Sequence, residues 1–153
     1  MTVRRDPSGG DRLTVALQGI DGLVGKTGYF ETSKYPDGTS VAYVATIHEF
    51  GYPAGGIPAR PTMRPTADQQ RQGWAEIMRQ GAKAALNGQM TGRDALERLT
   101  LKAAGDVSAS IAALTTPALS PRTIARKGFS KPLVDTGLML RSVTGVVEPK
   151  GAQ

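Results

Sequence analysis

Ile47-His48-Glu49-Phe50-Gly51-Tyr52-Pro53-Ala54-Gly55-Gly56-Ile57-Pro58-Ala59-Arg60-Pro61-Thr62-Met63-Arg64-Pro65 is the stretch on which the reading of this chain turns. It sets a short apolar-acidic segment against a glycine stop at Gly51, passes through a Gly/Pro loop, and then stiffens. In Ile57-Pro58-Ala59-Arg60-Pro61 each proline fixes its own φ and drives the preceding residue out of the helical region. Arg60 is therefore presented on an extended strut at low entropic cost. A forked guanidinium held this way suits a bidentate carboxylate contact. Two readings of Arg60 follow: an anchor reaching an acidic partner or DNA, or an internal ion pair with Glu49 or Asp135. The internal pair is the favoured one, which makes the stretch a joint between a glycine-rich front and a helix-rich back.

Upstream, residues 1–10 mix Arg, Asp, Pro, Ser and Gly and read as a flexible arm. Leu13, Val15 and Leu17 alternate with polar or small neighbours, which predicts a half-buried strand. Gly19-Ile20-Asp21-Gly22 predicts a hairpin turn, and Leu23 to Glu31 the return strand, with Gly25 and Gly28 weakening it or marking bulges. Tyr35-Pro36-Asp37-Gly38 is a second turn. Thr39 or Ser40 then caps a short helix over Val41 to Phe50, although a strand over Val41 to Ile47 also fits its β-branched run. In the helix, Tyr43, Ile47 and Phe50 share one face and Val41, Val44, Ala45 and His48 another.

Downstream, Thr66 is read as the cap of a helix from Ala67 to about Asn87, with Trp74, Ile77, Met78, Gly81 and Ala85 on one face. Thr91-Gly92-Arg93-Asp94 has capping-box spacing and opens a second helix to about Thr115, striped by Leu96, Leu99, Ala103, Val107, Ile111 and Leu114. Two such helices joined by a short loop predict an antiparallel αα-hairpin, and their many small residues permit close approach. Ser120-Pro121 opens a short helix stopped by Gly128. Asp135 is read as the cap of a turn from Thr136 to Arg141, Ser142 to Glu148 as a final strand, and residues 149–153 as a tail. The expected fold is α+β: an antiparallel sheet built from the two ends of the chain, packed on the central αα-hairpin, as one domain over residues 11–148.

Composition narrows the function. The 153-residue chain has no cysteine, which removes disulfides and thiolate chemistry and suits a reducing compartment. No apolar run approaches the length of a membrane span, and no membrane partner is expected. The net charge of +6 is uneven. Residues 119–153 carry Arg122, Arg126, Lys127, Lys131, Arg141 and Lys150 against Asp135 and Glu148 alone. Such a basic third suits nucleic acid or an acidic protein surface, or is a solvated face. No catalytic residues, metal ligands or cofactor are assigned. The sole histidine, His48, adjoins Glu49, but neighbours on a helix point about 100° apart and do not chelate. Gly22-Leu23-Val24-Gly25-Lys26-Thr27 ends like a phosphate-binding loop but has Ile20 where the first glycine is required. There is no nucleophile elbow, and no helix-turn-helix spacing supports sequence-specific DNA reading.

Two separated motifs, Ile47-His48-Glu49-Phe50-Gly51 and Ile57-Pro58-Ala59-Arg60-Pro61, together resemble the E-F-G … I-P-A-R-P-F signature of neck and tail-completion proteins of long-tailed bacteriophages. They are also similar to the related virion-morphogenesis family of Mu-type phages. Thr123-Ile124-Ala125-Arg126-Lys127-Gly128 and Lys131-Pro132-Leu133-Val134-Asp135-Thr136-Gly137-Leu138, followed by Arg141-Ser142-Val143, resemble that family's T-I-x-x-K-G and K-P-L-x-D-T-G-x-L-x-x-S-I ending. The resemblance covers roughly Val41 to Val147. It departs after the second proline, where the family usually has an aromatic and this chain has Thr62 and Met63, and in the front third, where many members begin with a long helix.

The resemblance implies a non-enzymatic virion protein, made in the host bacterial cytoplasm and placed at the junction of head connector and tail. It implies a homo-oligomeric ring, hexameric or dodecameric, contacting connector and tail proteins, either on the connector side or as a cap on the top of the tail tube. Glu49, Phe50, Gly51, Pro58, Arg60, Pro61, Asp135 and Gly137 are then its structural motif residues. Arg122, Arg126, Lys127 and Lys131 are the candidates to face DNA passing through a lumen. The alternative is a small basic protein that binds DNA non-specifically or assists its packaging.

Overall fold

The computed structural model describes Gly10, Thr14, Val15 and residues 19–151. The order of elements is β1 (Leu23–Gly28), α1 (Val41–Phe50), a 3-10 turn (Pro53–Gly55), α2 (Met63–Leu86), α3 (Gly92–Ala113), α4 (Pro121–Lys127), α5 (Leu138–Arg141) and β2 (Thr144–Pro149). β1 and β2 pair antiparallel in register from Leu23↔Pro149 to Gly28↔Thr144. The fold is α+β, with the two ends of the described chain forming a two-stranded sheet on the long helical hairpin.

α3 is the central element. It packs along α2 on one side and under both strands on another. Its start is fixed by the capping box expected from the sequence: the Thr91 hydroxyl accepts from the Asp94 N–H at 3.1 Å, and the Asp94 carboxylate accepts from the Thr91 N–H at 2.8 Å. Small residues then let the layers close. A Cβ at Gly81 would lie 2.7 Å from the Ala95 Cβ, so α2 and α3 meet where a glycine faces an alanine. A Cβ at Gly145 would lie 2.6 Å from the Thr100 carbonyl, and one at Gly25 would lie 2.8 Å from the Thr100 methyl. Gly25 is thus neither a bulge nor a weak point in the strand, but the place where the sheet touches the helix. The Thr27 hydroxyl donates to the Thr100 carbonyl at 3.2 Å and completes that seam.

Val41, Ala104, Val107, Ile111, Met139 and Val143 form the core, drawn from α1, α3, α5 and the approach to β2. Val41 and Ile111 are its fully buried side chains, each contributing about 1.5–3 kcal/mol by removal from water. Tyr29, Met63 and Leu133 pack around it.

Several expectations are corrected. The strand over Leu13, Val15 and Leu17 does not form where the chain is described: Thr14 and Val15 are helical, and the Thr14 hydroxyl bonds the Gly10 carbonyl. Leu13 and Leu17 lie outside the described residues, as do residues 1–9 of the expected arm. The Gly19–Gly22 turn is present, but it leads into a strand whose partner comes from the far end of the chain. Pro149, assigned to the tail, pairs with Leu23, and the Lys150 N–H bonds the Gly22 carbonyl at 2.6 Å. Between Val41 and Phe50 the helix wins over the strand, and its C-terminal N–H from Gly51 bonds Ile47 at 2.7 Å.

Candidate functional site: the joint at Glu49 and Arg60

α2 begins at Met63, four residues earlier than a Thr66 cap would place it. Pro65 then sits inside the first turn, where its missing N–H removes nothing from the helix. The reason for the early start is Glu49. The first N–H groups of a helix have no intrahelical acceptor, and Thr62 at the cap position makes no side-chain bond to them. The Glu49 carboxylate, reaching across from the last turn of α1, accepts from the N–H groups of Thr62 at 2.7 Å, Met63 at 3.0 Å and Arg64 at 3.1 Å. A residue distant in sequence thus supplies the cap, with its negative charge at the positive end of the α2 dipole.

Arg64 closes the arrangement from outside. Its Nε donates to the same carboxylate at 3.1 Å, its Nη2 donates to the Glu49 carbonyl at 3.1 Å, and its guanidinium stacks 4.6 Å from the centre of the Phe50 ring. Glu49 is only 8 % exposed. Burial works against its charge, but the three backbone N–H groups and Arg64 outweigh it and hold its carboxyl below the usual range.

Gly51 has φ 78° and ψ 168°, a conformation open essentially to glycine. A Cβ there would lie 2.8 Å from the Ala59 nitrogen. That close approach brings the Pro58–Pro61 strut back beside α1, where the Arg60 N–H bonds the His48 carbonyl at 2.6 Å. The intervening loop is closed on itself: Tyr52 and Ile57 exchange backbone bonds at 2.8 and 3.0 Å.

Arg60 is 5 % exposed, as a joint residue should be, but it does not pair with Glu49 or Asp135; among the described residues it makes no ion pair. Its Nε donates to the Pro117 carbonyl and its Nη2 to the Ala118 carbonyl, both at 2.8 Å. Glu49 is already saturated by the α2 terminus, so the guanidinium fork takes two carbonyls of the loop after α3 instead. The strut therefore ties the end of α1 to the α3–α4 connection.

The C-terminal motifs form a second lock. The Ser120 hydroxyl accepts from the Thr123 N–H at 3.3 Å, and α4 ends at Gly128 with φ 80°. Lys127, in the last turn of α4, donates to the carbonyls of Lys131 and Val134 and lies 4.6 Å from the centre of the Phe129 ring. Its ammonium holds the Lys131–Val134 turn, and burial pushes its pKa down. Arg122 and Arg126 are exposed, while Lys131 is half-buried. Asp135 is exposed and caps nothing; the cap position of α5 is Gly137, at φ 76°, with the Thr136 hydroxyl accepting from the Leu138 N–H at 3.3 Å. Asp135 faces Tyr35, whose phenol is raised by burial and then by that charge.

The structure thus brings Glu49, Gly51 and Arg60 into one joint and places Asp135 and Gly137 elsewhere. Arg64 was missed from sequence, because one more arginine in a basic chain carries no mark of its own. Its spacing from Glu49 shows nothing until α1 and α2 are placed end to end. Among the described residues, no three His, Asp or Glu side chains converge as a metal site would require. No family model, curated protein or solved structure matches this chain.

Proposed function

We propose that this protein is a structural subunit of a bacteriophage virion, assembling as a homo-oligomeric ring at the head–tail junction. The observation that carries the reading is how the motif residues are used. Glu49 caps α2, Gly51 admits the returning strut and Arg60 clamps the α3–α4 loop, so the signature spends its chemistry inside the chain. That is the economy of a building block, and it gives a physical reason for the E-F-G … I-P-A-R-P pattern that the chain shares with neck and tail-completion proteins.

What the joint leaves outside also supports assembly. Tyr43 and Phe50, on one side of α1, are 64 % and 63 % exposed, and Tyr52 beyond the helix is exposed as well. Aromatic side chains gathered in this way suit a subunit contact. A ring needs one such patch to meet a second, different patch on the next copy until the rotation closes.

The test is negative-stain microscopy and native mass spectrometry of the full chain at high protein concentration. Closed rings are expected, lost in the Tyr43→Glu/Phe50→Glu double variant. A particle that stays monomeric and instead retards duplex DNA in a salt-dependent way overturns the reading. That outcome favours a small basic DNA-binding or packaging protein, for which Arg122 and Arg126, exposed one turn apart on α4, would be the contacts.

A further inference from the structure

Behind the Arg60 strut lies a cleft of about 570 Å³ between the end of α1, the Gly56–Pro58 segment and the start of α4. Its polar lining comes from His48, Arg60, Ser120, Thr123 and Arg126, and its apolar walls from Ile57, Pro58 and Leu119. No carboxylate lines it. The nearest acidic side chain in the adjoining hollow is Asp135, which shares that hollow with Tyr35 and Lys127.

Three observations make this cleft more than a gap in packing. Arg60 uses Nε and Nη2 on the Pro117 and Ala118 carbonyls, both of which are neutral, so its positive charge is unmatched among the described residues. Arg126, which lines the same cleft, makes no ion pair among the described residues either. The Nδ1 of His48, a residue of the same lining, is buried without a hydrogen-bond partner among the described residues. A buried polar atom left unbonded is unfavourable, and two uncompensated guanidinium groups around one small space favour an anion. The same electrostatics act on His48, whose pKa is driven down by burial and then by the charges of Arg60 and Lys127.

We propose that the cleft is a binding site for a carboxylate, presented by an acidic side chain of a partner protein. A carboxylate on a short hydrocarbon stem matches the lining, with the stem against Ile57 and Leu119 and the oxygens between Arg60 and Arg126. Arg60 is too deeply set for the backbone of a duplex to reach it, whereas a single side chain can. The site lies within one chain and does not depend on ring assembly.

His48 is the only histidine, so its imidazole signals in a ¹H–¹⁵N spectrum of the labelled full chain report on the cleft without ambiguity. Citrate and glutarate are titrated at constant ionic strength, with inorganic phosphate and a short DNA duplex as parallel arms. The expected result is a saturable movement of the His48 signals with the carboxylates, weakened about tenfold by Arg126→Ala and partly restored by Arg126→Lys. Because Arg126 is exposed, its melting temperature should not change. A non-saturating response, or an Arg126→Ala variant that binds as the parent does, overturns the site. Phosphate or DNA saturating at lower concentration than either carboxylate overturns the assignment of the ligand.

Discussion

Replacing Glu49 tests the joint most directly. Glu49→Ala strips the α2 terminus of the acceptor for three N–H groups and leaves Arg64 without its carboxylate partner. Loss of a helix cap costs about 0.5–2 kcal/mol, and a hydrogen bond to a charged group contributes about 1.5–3 kcal/mol. These terms overlap, because water reaches part of the vacated terminus and Arg64 is largely exposed. A destabilisation of about 3–4 kcal/mol is therefore expected, and about half of that for Glu49→Gln, which keeps one acceptor oxygen but turns an amide toward N–H donors. For a chain of this size, each kcal/mol moves the melting temperature by about 2–4 °C, so Glu49→Ala should melt roughly 10 °C below the parent.

The pH dependence has a definite sign. The folded pKa of Glu49 lies below its unfolded value. Its contribution is therefore fully present above the unfolded value of about 4.3 and is lost as pH falls through the folded one. Urea midpoints for the parent and Glu49→Gln should converge as the pH is lowered below about 4. Arg64→Ala, which removes only the outer partner, should cost under about 1 kcal/mol. If Glu49→Ala melts within a degree of the parent, or if the gap to Glu49→Gln is the same at pH 3 as at pH 7, the carboxylate is not capping α2 and the account of the joint fails.

Two further perturbations read other parts of the fold. Arg60→Ala should lower stability by about 2–3 kcal/mol by unpairing two carbonyls, and Arg60→Lys should restore little of it, because a point-like ammonium cannot span both acceptors; the urea midpoint measures both, and full rescue by lysine would contradict the fork. Gly145→Ala should cost about 2–4 kcal/mol by forcing β2 off Thr100, whereas Gly105→Ala, at an exposed α3 position with open space around it, should stabilise by about 0.5–1 kcal/mol; thermal melts of the pair should move in opposite directions.

Some of this architecture was legible because it is local. The Thr91–Asp94 capping box, the Ser120-Pro121 helix start and the Gly128 stop depend on residues within four positions of one another, and all form as their spacing predicts. The αα-hairpin was legible because apolar and small residues recur at helical spacing along both segments. In α1 the same periodicity set Val41, now buried, apart from Tyr43 and Phe50, now exposed, but it gave no sign that Glu49 would be buried.

The first strand failed for a physical reason: alternation over Leu13, Val15 and Leu17 states which side chains could share a face, but not whether a partner strand is at hand. β2 arrives more than a hundred residues later and pairs with Leu23–Gly28 instead. The start of α2 was misplaced because a cap was sought among adjacent residues, while the acceptor came from Glu49 at the end of the previous helix.

By itself, then, the sequence determined the helical hairpin, the local caps at Thr91 and Ser120, the stop at Gly128, the absence of thiol chemistry, and the stiffness of the Pro58–Pro61 strut, all consequences of backbone restriction and near-neighbour hydrogen bonding. Only the tertiary structure decided what the strut holds. Which acceptor a buried arginine takes depends on which oxygens are already occupied, and that competition is settled across the fold: Glu49 goes to the N–H groups of α2, and Arg60 is left with the carbonyls of Pro117 and Ala118.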